Sequence, residues 1–240
     1  MSPSGPRLVE RGVNDTLMRG RLSAAVLVTA LALSLSGVAH AGEGAPGPDR
    51  GTCPSEAEIF ATDNTAIITD PDDPRLRTRL VRFGHEVRRI IRAHGAESGA
   101  STLLEGVFWS SDLQRATYER SREFEVDRVG RDGLHHIAGV IAKRYRQESV
   151  LTFRCLPRTS PETDAVRIRA EGVSPTRLHD ALVADPEARE RLGGGSTTLD
   201  GQLVLVAPLA DLALARKFTQ DLGVDWNTTE VRYGDEEFVS

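Results

Sequence analysis

The stretch from Arg144 to Pro157 is RYRQESVLTFRCLP, and it joins the predicted end of a helix to a predicted buried strand. Leu151, Phe153 and Cys155 share one face of that strand, because successive side chains in a strand point to opposite faces. A linker rich in proline and polar residues follows immediately. The stretch therefore predicts the closing strand of a first folding unit.

Hydrophobic periodicity upstream of this strand predicts three further strands and two helices. Asp73 and Pro74 are typical of a helix start, since aspartate caps free N–H groups and proline fits the first helical position. A second helix is predicted to begin at Asp132. The predicted elements are strands over Ile59–Thr69, Leu103–Trp109 and Ala116–Val126, and helices over Pro74–His94 and Asp132–Tyr145. Asp63-Asn64 is a possible bulge or turn inside the first of these strands.

The second half of the chain repeats this order of elements. Val166, Ile168 and Ala170 alternate with charged residues, which predicts a half-buried strand. A helix interrupted at Asp185-Pro186 follows, and then a hairpin is indicated by Asp200-Gly201. A helix and a last strand complete the half, with predicted elements starting at Ser174, Leu209 and Thr229.

These patterns predict an α+β fold of two tandem ferredoxin-like β-α-β-β-α-β units with antiparallel sheets. Whether the two units form one sheet or two is left open. The predicted organisation is a signal peptide over 1–41, a flexible lead-in over 42–55, a first unit over 56–156, a linker over 157–164 and a second unit over 165–240.

Residues 1–41 have the layout of a bacterial secretory signal peptide. Arg19 and Arg21 precede the apolar run Leu22–Val38, and small residues at Ala39 and Ala41 come just before the expected cleavage point, which follows Ala41. A membrane anchor is the alternative, although the run is near the lower length limit for a span. We expect a secreted or extracytoplasmic protein with no membrane span after cleavage. Translation could start at Met1 or at Met18.

The charge of the chain makes nucleic acid an unexpected partner. Residues 1–41 carry four basic and two acidic residues, so the formal net charge of −5 becomes −7 after cleavage. No block of like charge stands out in the sequence. A mildly acidic protein is a poor candidate for binding a phosphate backbone.

The chain contains two cysteines, Cys53 and Cys155, and both follow the expected cleavage point. Oxidising compartments favour disulfides, so we expect these two residues to pair. Two buried free thiols are the alternative. A bond would tie the lead-in to the predicted closing strand.

Three features of the first unit are similar to a known family. They are Gly106-x-x-Trp109, the strand Glu119-Arg120-Ser121, and the helix end running from Tyr145 to Leu151. Over Gly106–Leu151 the chain resembles an uncharacterised family of small exported bacterial proteins, a domain of unknown function. The resemblance implies export and an α+β fold, and it implies no activity.

No metal site, cofactor or catalytic residue is predicted. Asp63, Asp70, Asp72 and Asp73 could hold calcium, but prolines interrupt them and a turn with a helix cap explains them better. Neighbouring helical residues point about 100° apart, so His135 and His136 cannot grip one metal together. The glycines at 193–195 follow a helix and precede a hairpin, which favours a flexible connection over a phosphate cradle.

One set of polar and aromatic residues is predicted to line a shared pocket. The set is Trp109, Glu119, Glu148 and Arg154, which lie on strands expected to be neighbours. A structural tryptophan at a sheet edge is the alternative. We treat these four residues as candidate ligand contacts.

Three functions remain open from the sequence. The favoured one is a non-catalytic exported module that binds a small ligand, an envelope component or a protein partner. The alternative is a cofactor-free enzyme with a pocket between the two units. The third is an interaction protein that uses an exposed sheet edge, which a long unpaired final strand would support.

Overall fold

The computed structural model describes residues 53–240. The predicted signal peptide and residues 42–52 of the predicted lead-in lie outside the described residues. Eight strands are present: β1 Ala57–Ala61, β2 Glu97–Ser110, β3 Arg115–Asp127, β4 Val150–Cys155, β5 Ala165–Glu171, β6 Gly194–Thr198, β7 Gln202–Pro208 and β8 Glu230–Val239. The α-helices are α1 Val81–Ala93, α2 Arg131–Tyr145, α3 Pro175–Ala184, α4 Pro186–Arg191 and α5 Leu212–Asp221.

The strands form one closed antiparallel barrel in the order β1-β3-β2-β6-β7-β5-β8-β4. The prediction of two tandem ferredoxin-like units is therefore wrong. The strands at the edges of the two halves pair with each other, β2 with β6 and β4 with β8. An edge strand carries unpaired N–H and C=O groups, and closing the barrel satisfies them.

The last strand offers no long free edge. β8 pairs with β5 from Glu230 to Gly234, and it pairs with β4 from Gly234 to Val239. Every residue of β8 thus has a strand partner. A long unpaired final strand would have supported an interaction protein with an exposed sheet edge, and residues 53–240 do not contain such a strand.

Helices cover the outer face of the barrel in two groups. α1 and α2 pack over one apolar cluster, centred on residues such as Ile59, Phe83 and Phe124. α3, α4 and α5 pack over a second cluster, which includes Ile168 and Phe218. The apolar side chains of the strands therefore face outward against helices, and their alternate positions face the barrel interior.

Some predicted element boundaries shift. Asp73 caps a short 3-10 turn over Pro74–Arg77, with its carboxylate accepting from Arg75 N at 2.8 Å, and it does not cap α1. Leu80 has a positive φ of 50°, which breaks the predicted long helix, so α1 begins at Val81. β1 ends at Ala61, and a loop replaces the rest of the predicted strand.

Cys53 and Cys155 are joined by a disulfide, with a Cα–Cα distance of 6.2 Å. The predicted pairing is confirmed. Cys155 N also donates to Glu56 O at 2.9 Å, so the segment before β1 is attached to β4 by the bond and by the backbone. The disulfide therefore links the segment before β1 to β4, the last strand of the first half of the chain.

The glycines at 193–195 are wrongly predicted as a flexible connection, because Gly194 and Gly195 belong to β6. Gly194 has a φ of 149° and lies against β2. A Cβ there would collide with the carbonyl oxygen of Val107 and lie 2.7 Å from Phe108 Cα. Glycine lets the two halves of the barrel approach closely at this point.

Replacing Gly194 with alanine is expected to lower the free energy of unfolding by about 2 to 4 kcal/mol, because the new methyl group meets backbone atoms that cannot rotate away. Urea denaturation measures the loss. Gly139→Ala in α2 is the matched control, since its nearest neighbours lie 3.9 Å away and alanine favours a helix. Equal stability of the two variants would contradict the expectation.

Candidate functional site

The barrel interior holds a network of buried charges. Arg167 Nε lies 2.8 Å from Glu58 Oε2, and Arg167 Nη2 donates to Glu123 Oε1 at 2.7 Å. Arg169 Nη2 also reaches Glu123, at 2.5 Å, and Arg232 Nη1 lies 3.2 Å from Glu58 Oε1. The Arg167 side chain is only 1% exposed. β5 was predicted to be half-buried, whereas its charged face meets carboxylates from β1 and β3.

Burial and opposite charges act against each other on this network. Burial raises the pKa of Glu58 to about 7, while the guanidinium groups of Arg167 and Arg232 oppose that rise. Burial also lowers the pKa of Arg167, and the two carboxylates beside it oppose that change. Each charge in the network is therefore tolerated only because an opposite charge lies next to it.

The network leaves some donors without a partner among the described residues. Arg167 Nη1 and Arg169 Nε are buried and make no hydrogen bond there. Arg167 Nε and Glu58 Oε2 are close enough for an ion pair, but their angle is not that of a hydrogen bond. We assign this cluster a role in barrel assembly, because its ion pairs join Glu58 on β1 and Glu123 on β3 to arginines on β5 and β8.

A cavity of about 530 Å³ lies beside β3 at the end of the barrel where β1 stops. Its wall is mainly hydroxyl, amide and charged groups, with two aromatic rings. The lining residues are Thr62, Asn64, Thr65, Ala66, Ile67, Ile68, Phe108, Ser110, Thr117, Tyr118, Glu119, Arg146, Gln147, Glu148 and Ser149. This volume is in the range of small-molecule sites.

The loop after β1 forms one wall of this cavity and is held by three hydrogen bonds. Gln147 Oε1 accepts from Thr62 N at 3.0 Å, and Thr62 Oγ1 donates to Arg120 O at 2.7 Å. Tyr118 N donates to Ile68 O at 2.8 Å. The loop therefore lies against β3 although β1 ends early.

The residues after α2 form the adjoining wall. Arg146 has a φ of 57° and ends the helix in the left-handed conformation, which is unusual for arginine. This turn directs the chain into the next residues, Gln147 to Ser149, which all line the cavity. Gln147 Nε2 is buried with no hydrogen-bond partner among residues 53–240.

Glu119 is the carboxylate most changed by this environment. Burial raises the pKa of Glu119 above its ordinary value, and a hydrogen bond with Ser121 opposes the rise in part. Glu119 lies opposite Gly106 on β2, where a neutral carboxylic acid could donate a hydrogen bond that a carboxylate cannot. Glu148 lines the same cavity.

The four predicted pocket residues lie in three separate places. Glu119 and Glu148 line the cavity together. Trp109 lies elsewhere, with the Arg189 guanidinium 4.4 Å from the centre of its ring. Arg154 pairs with Asp235 at 3.1 Å and with Glu162, near the disulfide. A single pocket shared by all four is not formed.

Sequence reasoning missed most of the cavity wall. Thr62 and Thr65 were assigned to a strand and Asn64 to a possible bulge or turn inside it, so none of them was weighed as a ligand contact. Arg146 and Gln147 were noted only as part of a family resemblance. The run of polar residues after Ala61 was the available signal, because a buried strand would not carry so many consecutive hydroxyl and amide groups.

A second cavity of about 490 Å³ lies on the outer side of the same strands. Tyr118 and His179 form part of its wall, with their rings nearly parallel and 6.1 Å apart. Arg120 pairs with Glu105 at 2.6 Å in the same wall. Tyr118 and Glu119 line both cavities, so β3 is the partition between them.

Residues 53–240 contain no group of three or more histidine, cysteine or acidic side chains placed to hold a metal ion. Asp70 instead accepts from Asp72 N at 2.9 Å in a turn. No helix in the same residues is long and apolar enough to cross a membrane. His136 lies beside His94, with 5.0 Å between the ring centres.

No family model matches the chain, and no curated protein matches it. Two solved structures show weak likeness. One is described as a "putative monooxygenase from Lactobacillus acidophilus NCFM", at 13% identity and a TM-score of 0.24, covering 77% of this chain and 95% of that one. The other is described as an anthrone oxidase-like protein, at 13% identity and a TM-score of 0.24, covering 77% and 92%. Likeness this low carries no conclusion about this chain.

Proposed function

We propose that this chain is an exported bacterial protein that binds a small polyhydroxylated ligand in the 530 Å³ cavity without transforming it. The observation that carries the proposal is the chemistry of the cavity wall. Carboxylates accept hydrogen bonds from ligand hydroxyls, while arginine and amide groups donate them. The rings of Phe108 and Tyr118 offer apolar faces to the carbon skeleton.

Three polar side chains support a hydroxyl-bearing ligand over an apolar one. Gln147 lines the cavity, and its Nε2 donor has no partner among residues 53–240, so a ligand hydroxyl that accepted from it would satisfy it. Glu119 and Glu148 would each lose water on ligand binding, so an apolar ligand would leave them unpaired at a cost. A ligand rich in hydroxyls replaces the lost water contacts.

Saturation-transfer NMR on the full chain tests the proposal with glucose, galactose, N-acetylglucosamine and inositol as probes. We expect signals from at least one of them. Thr117→Trp should abolish those signals, because Thr117 lies on the cavity wall and an indole ring would fill the space. Leu199→Trp adds the same ring at a position that is 55% exposed on the β6–β7 hairpin, and should change nothing.

Thermal unfolding gives a second measurement with the same probes. A ligand present at about 100 times its Kd should stabilise the native chain by about 2.7 kcal/mol and leave Thr117→Trp unaffected. The proposal fails if none of the four probes gives a signal, or if Thr117→Trp binds them as the native chain does.

A cofactor-free enzyme is the second candidate, and Glu119 is the observation that favours it. Burial raises the pKa of Glu119, and a carboxyl group that keeps its proton more firmly than usual is a candidate general acid. Glu148 supplies a second carboxylate in the same cavity. Conversion of a bound probe over hours, lost in Glu119→Gln with binding retained, would favour the enzyme over the binding protein.

Export is supported by the layout of residues 1–41 and by the disulfide between Cys53 and Cys155. Disulfides persist mainly in oxidising compartments. N-terminal sequencing of protein recovered outside the cytoplasm should begin near Gly42. Recovery of the chain only with residues 1–41 attached would count against cleavage.

A further inference from the structure

One surface of this acidic protein is strongly basic. Seven arginines and a single glutamate lie between Pro74 and His94, whereas the whole chain has a formal net charge of −5. The expectation that no block of like charge exists is therefore wrong for this segment. The arginines are spaced through apolar residues, and α1 brings several of them onto its outer side. Those that are exposed are Arg75, Arg77, Arg79, Arg82, Arg89 and Arg92.

The end of α2 extends the basic surface. Lys143 and Arg144 are exposed there. Tyr145 OH donates to Glu86 Oε2 at 2.9 Å, which attaches the end of α2 to the middle of α1. Glu86 is the one acid of the segment, and Arg82 and Arg144 already share it at 2.9 and 3.5 Å.

Four exposed arginines of this surface have no opposite charge near them. No carboxylate among residues 53–240 lies within ion-pair distance of Arg77, Arg79, Arg89 or Arg92. Arg122 lies beneath α1, and its pKa is lowered by burial and by the like charge of Arg88. Positive charge therefore accumulates here, and an anionic partner would relieve the repulsion.

The shape of the surface favours an extended partner. α1 has 13 residues, so its outer face is about 20 Å long. Its arginines stand on the outside of a helix, and they do not converge on a cavity that could enclose one small anion. Arginine suits phosphate groups in particular, because its planar guanidinium group can donate two parallel hydrogen bonds.

Two exposed apolar side chains accompany the arginines and favour a lipid surface over a soluble polymer. Val81 is 58% exposed and stands between Arg79 and Arg82. Ile67 is 70% exposed in the loop after β1. Both Ile68 and Leu76 accept a hydrogen bond from β3, at Tyr118 and Arg120, so this loop runs close to the arginine segment. Apolar residues beside basic ones can enter the headgroup region of a bilayer.

We infer that the outer face of α1, with the 3-10 turn before it and the end of α2, docks on a membrane surface of anionic phospholipid. The arginines contact lipid phosphates, while Val81 and Ile67 enter the headgroup region. Docking would hold the 530 Å³ cavity near the membrane, since Ile67 lines that cavity too. The inference stands on the helix face and does not depend on which ligand the cavity binds.

Vesicle flotation with the full chain tests the inference. The vesicles are an equimolar mixture of phosphatidylglycerol and phosphatidylcholine, or phosphatidylcholine alone. We expect binding to the anionic vesicles that weakens with added salt. The triple variant Arg79→Gln, Arg89→Gln, Arg92→Gln should bind about 100-fold more weakly, at about fivefold for each charge. Binding to vesicles of phosphatidylcholine alone measures any insertion of the apolar run Leu22–Val38, which does not depend on anionic lipid.

Two control variants separate charge position from total charge and from folding. Arg115→Gln, Arg158→Gln, Arg216→Gln removes three exposed arginines from other parts of the chain and should keep native affinity. Arg79→Lys, Arg89→Lys, Arg92→Lys keeps the charges and should retain most of the binding. Val81→Ser should weaken binding to anionic vesicles without changing its salt dependence.

Several outcomes would overturn the inference. One is equal binding to vesicles with and without phosphatidylglycerol. Another is an equal loss of binding in the two glutamine variants, which would reflect total charge alone. Tighter binding to a short DNA duplex than to the anionic vesicles would identify a soluble polyanion as the partner instead of a lipid surface.

Discussion

Replacing Arg167 with methionine is expected to lower the free energy of unfolding by about 3–5 kcal/mol. Arg167 is the charge that joins Glu58 on β1 to Glu123 on β3, at 2.8 and 2.7 Å. Both carboxylates are buried, so the variant leaves them without their main counter-charge. Removing one partner of a buried ion pair costs more than the pair contributes, because the remaining charge has lost its water as well.

The pH dependence of this loss has a definite sign. Burial already raises the pKa of Glu58 from 4.5 to about 7, and removing Arg167 removes the first of the charges that oppose the rise. Folded Glu58 then binds a proton at a pH where the unfolded chain has released it. The free energy of unfolding of the variant therefore falls as the pH rises from about 5 to 8. The difference in this free energy between the native chain and the variant is larger at pH 8.

Urea denaturation at both pH values measures the effect. Arg128→Met is the matched control, because Arg128 pairs with Glu97 at 2.8 Å on the exposed surface, where an ion pair is worth about 0–1 kcal/mol. Adding Glu58→Gln to Arg167→Met should restore much of the stability, since Glu123 then still pairs with Arg169 and Arg232 still pairs with Glu230. A loss below about 1 kcal/mol for Arg167→Met alone would contradict the role assigned to the network.

Replacing Cys53 and Cys155 together with serine is expected to lower the free energy of unfolding by about 4–5 kcal/mol. The two residues are 102 positions apart, so the bond restricts a large part of the unfolded chain. The bond also attaches the segment before β1 to β4. β1 and β4 are neighbouring strands of the closed barrel. The double variant avoids the free thiol that a single substitution would leave.

Denaturation with and without a thiol reductant provides the control. The native chain should lose stability in reductant, whereas the double serine variant should not respond. Mass analysis after alkylation of the unreduced native chain should show no labelled thiol. Two labels, or equal stability of the native chain and the variant, would show that the bond is absent or unimportant in solution.

The candidate site was only partly predictable. Glu119 and Glu148 were chosen from their places on expected strands, and they do line one cavity. Thr62 and Asn64 were not chosen, because the predicted strand continued past the true end of β1 at Ala61. The contact that holds this loop, from Gln147 to Thr62, joins residues 85 positions apart, and no local pattern reveals such a contact.

The alternation of strands and helices along the chain was determined by the sequence itself. Apolar spacing placed the helices, Asp185-Pro186 separated α3 from α4, and Asp200-Gly201 placed the hairpin between β6 and β7. The pairing of Cys53 with Cys155 also followed, since the chain has no other cysteine. These features depend on neighbouring residues or on composition.

The tertiary structure decided what the polar faces of the strands contact. Alternation shows that Arg167 and Arg169 lie opposite Val166 and Ile168, but it does not show whether that face meets water or another strand. In the barrel it meets Glu123, which comes from a different half of the chain. Closure depends on which strand edges pair, and every edge carries the same backbone donors and acceptors. Only the folded chain therefore distinguishes a solvated face from a buried network of charges.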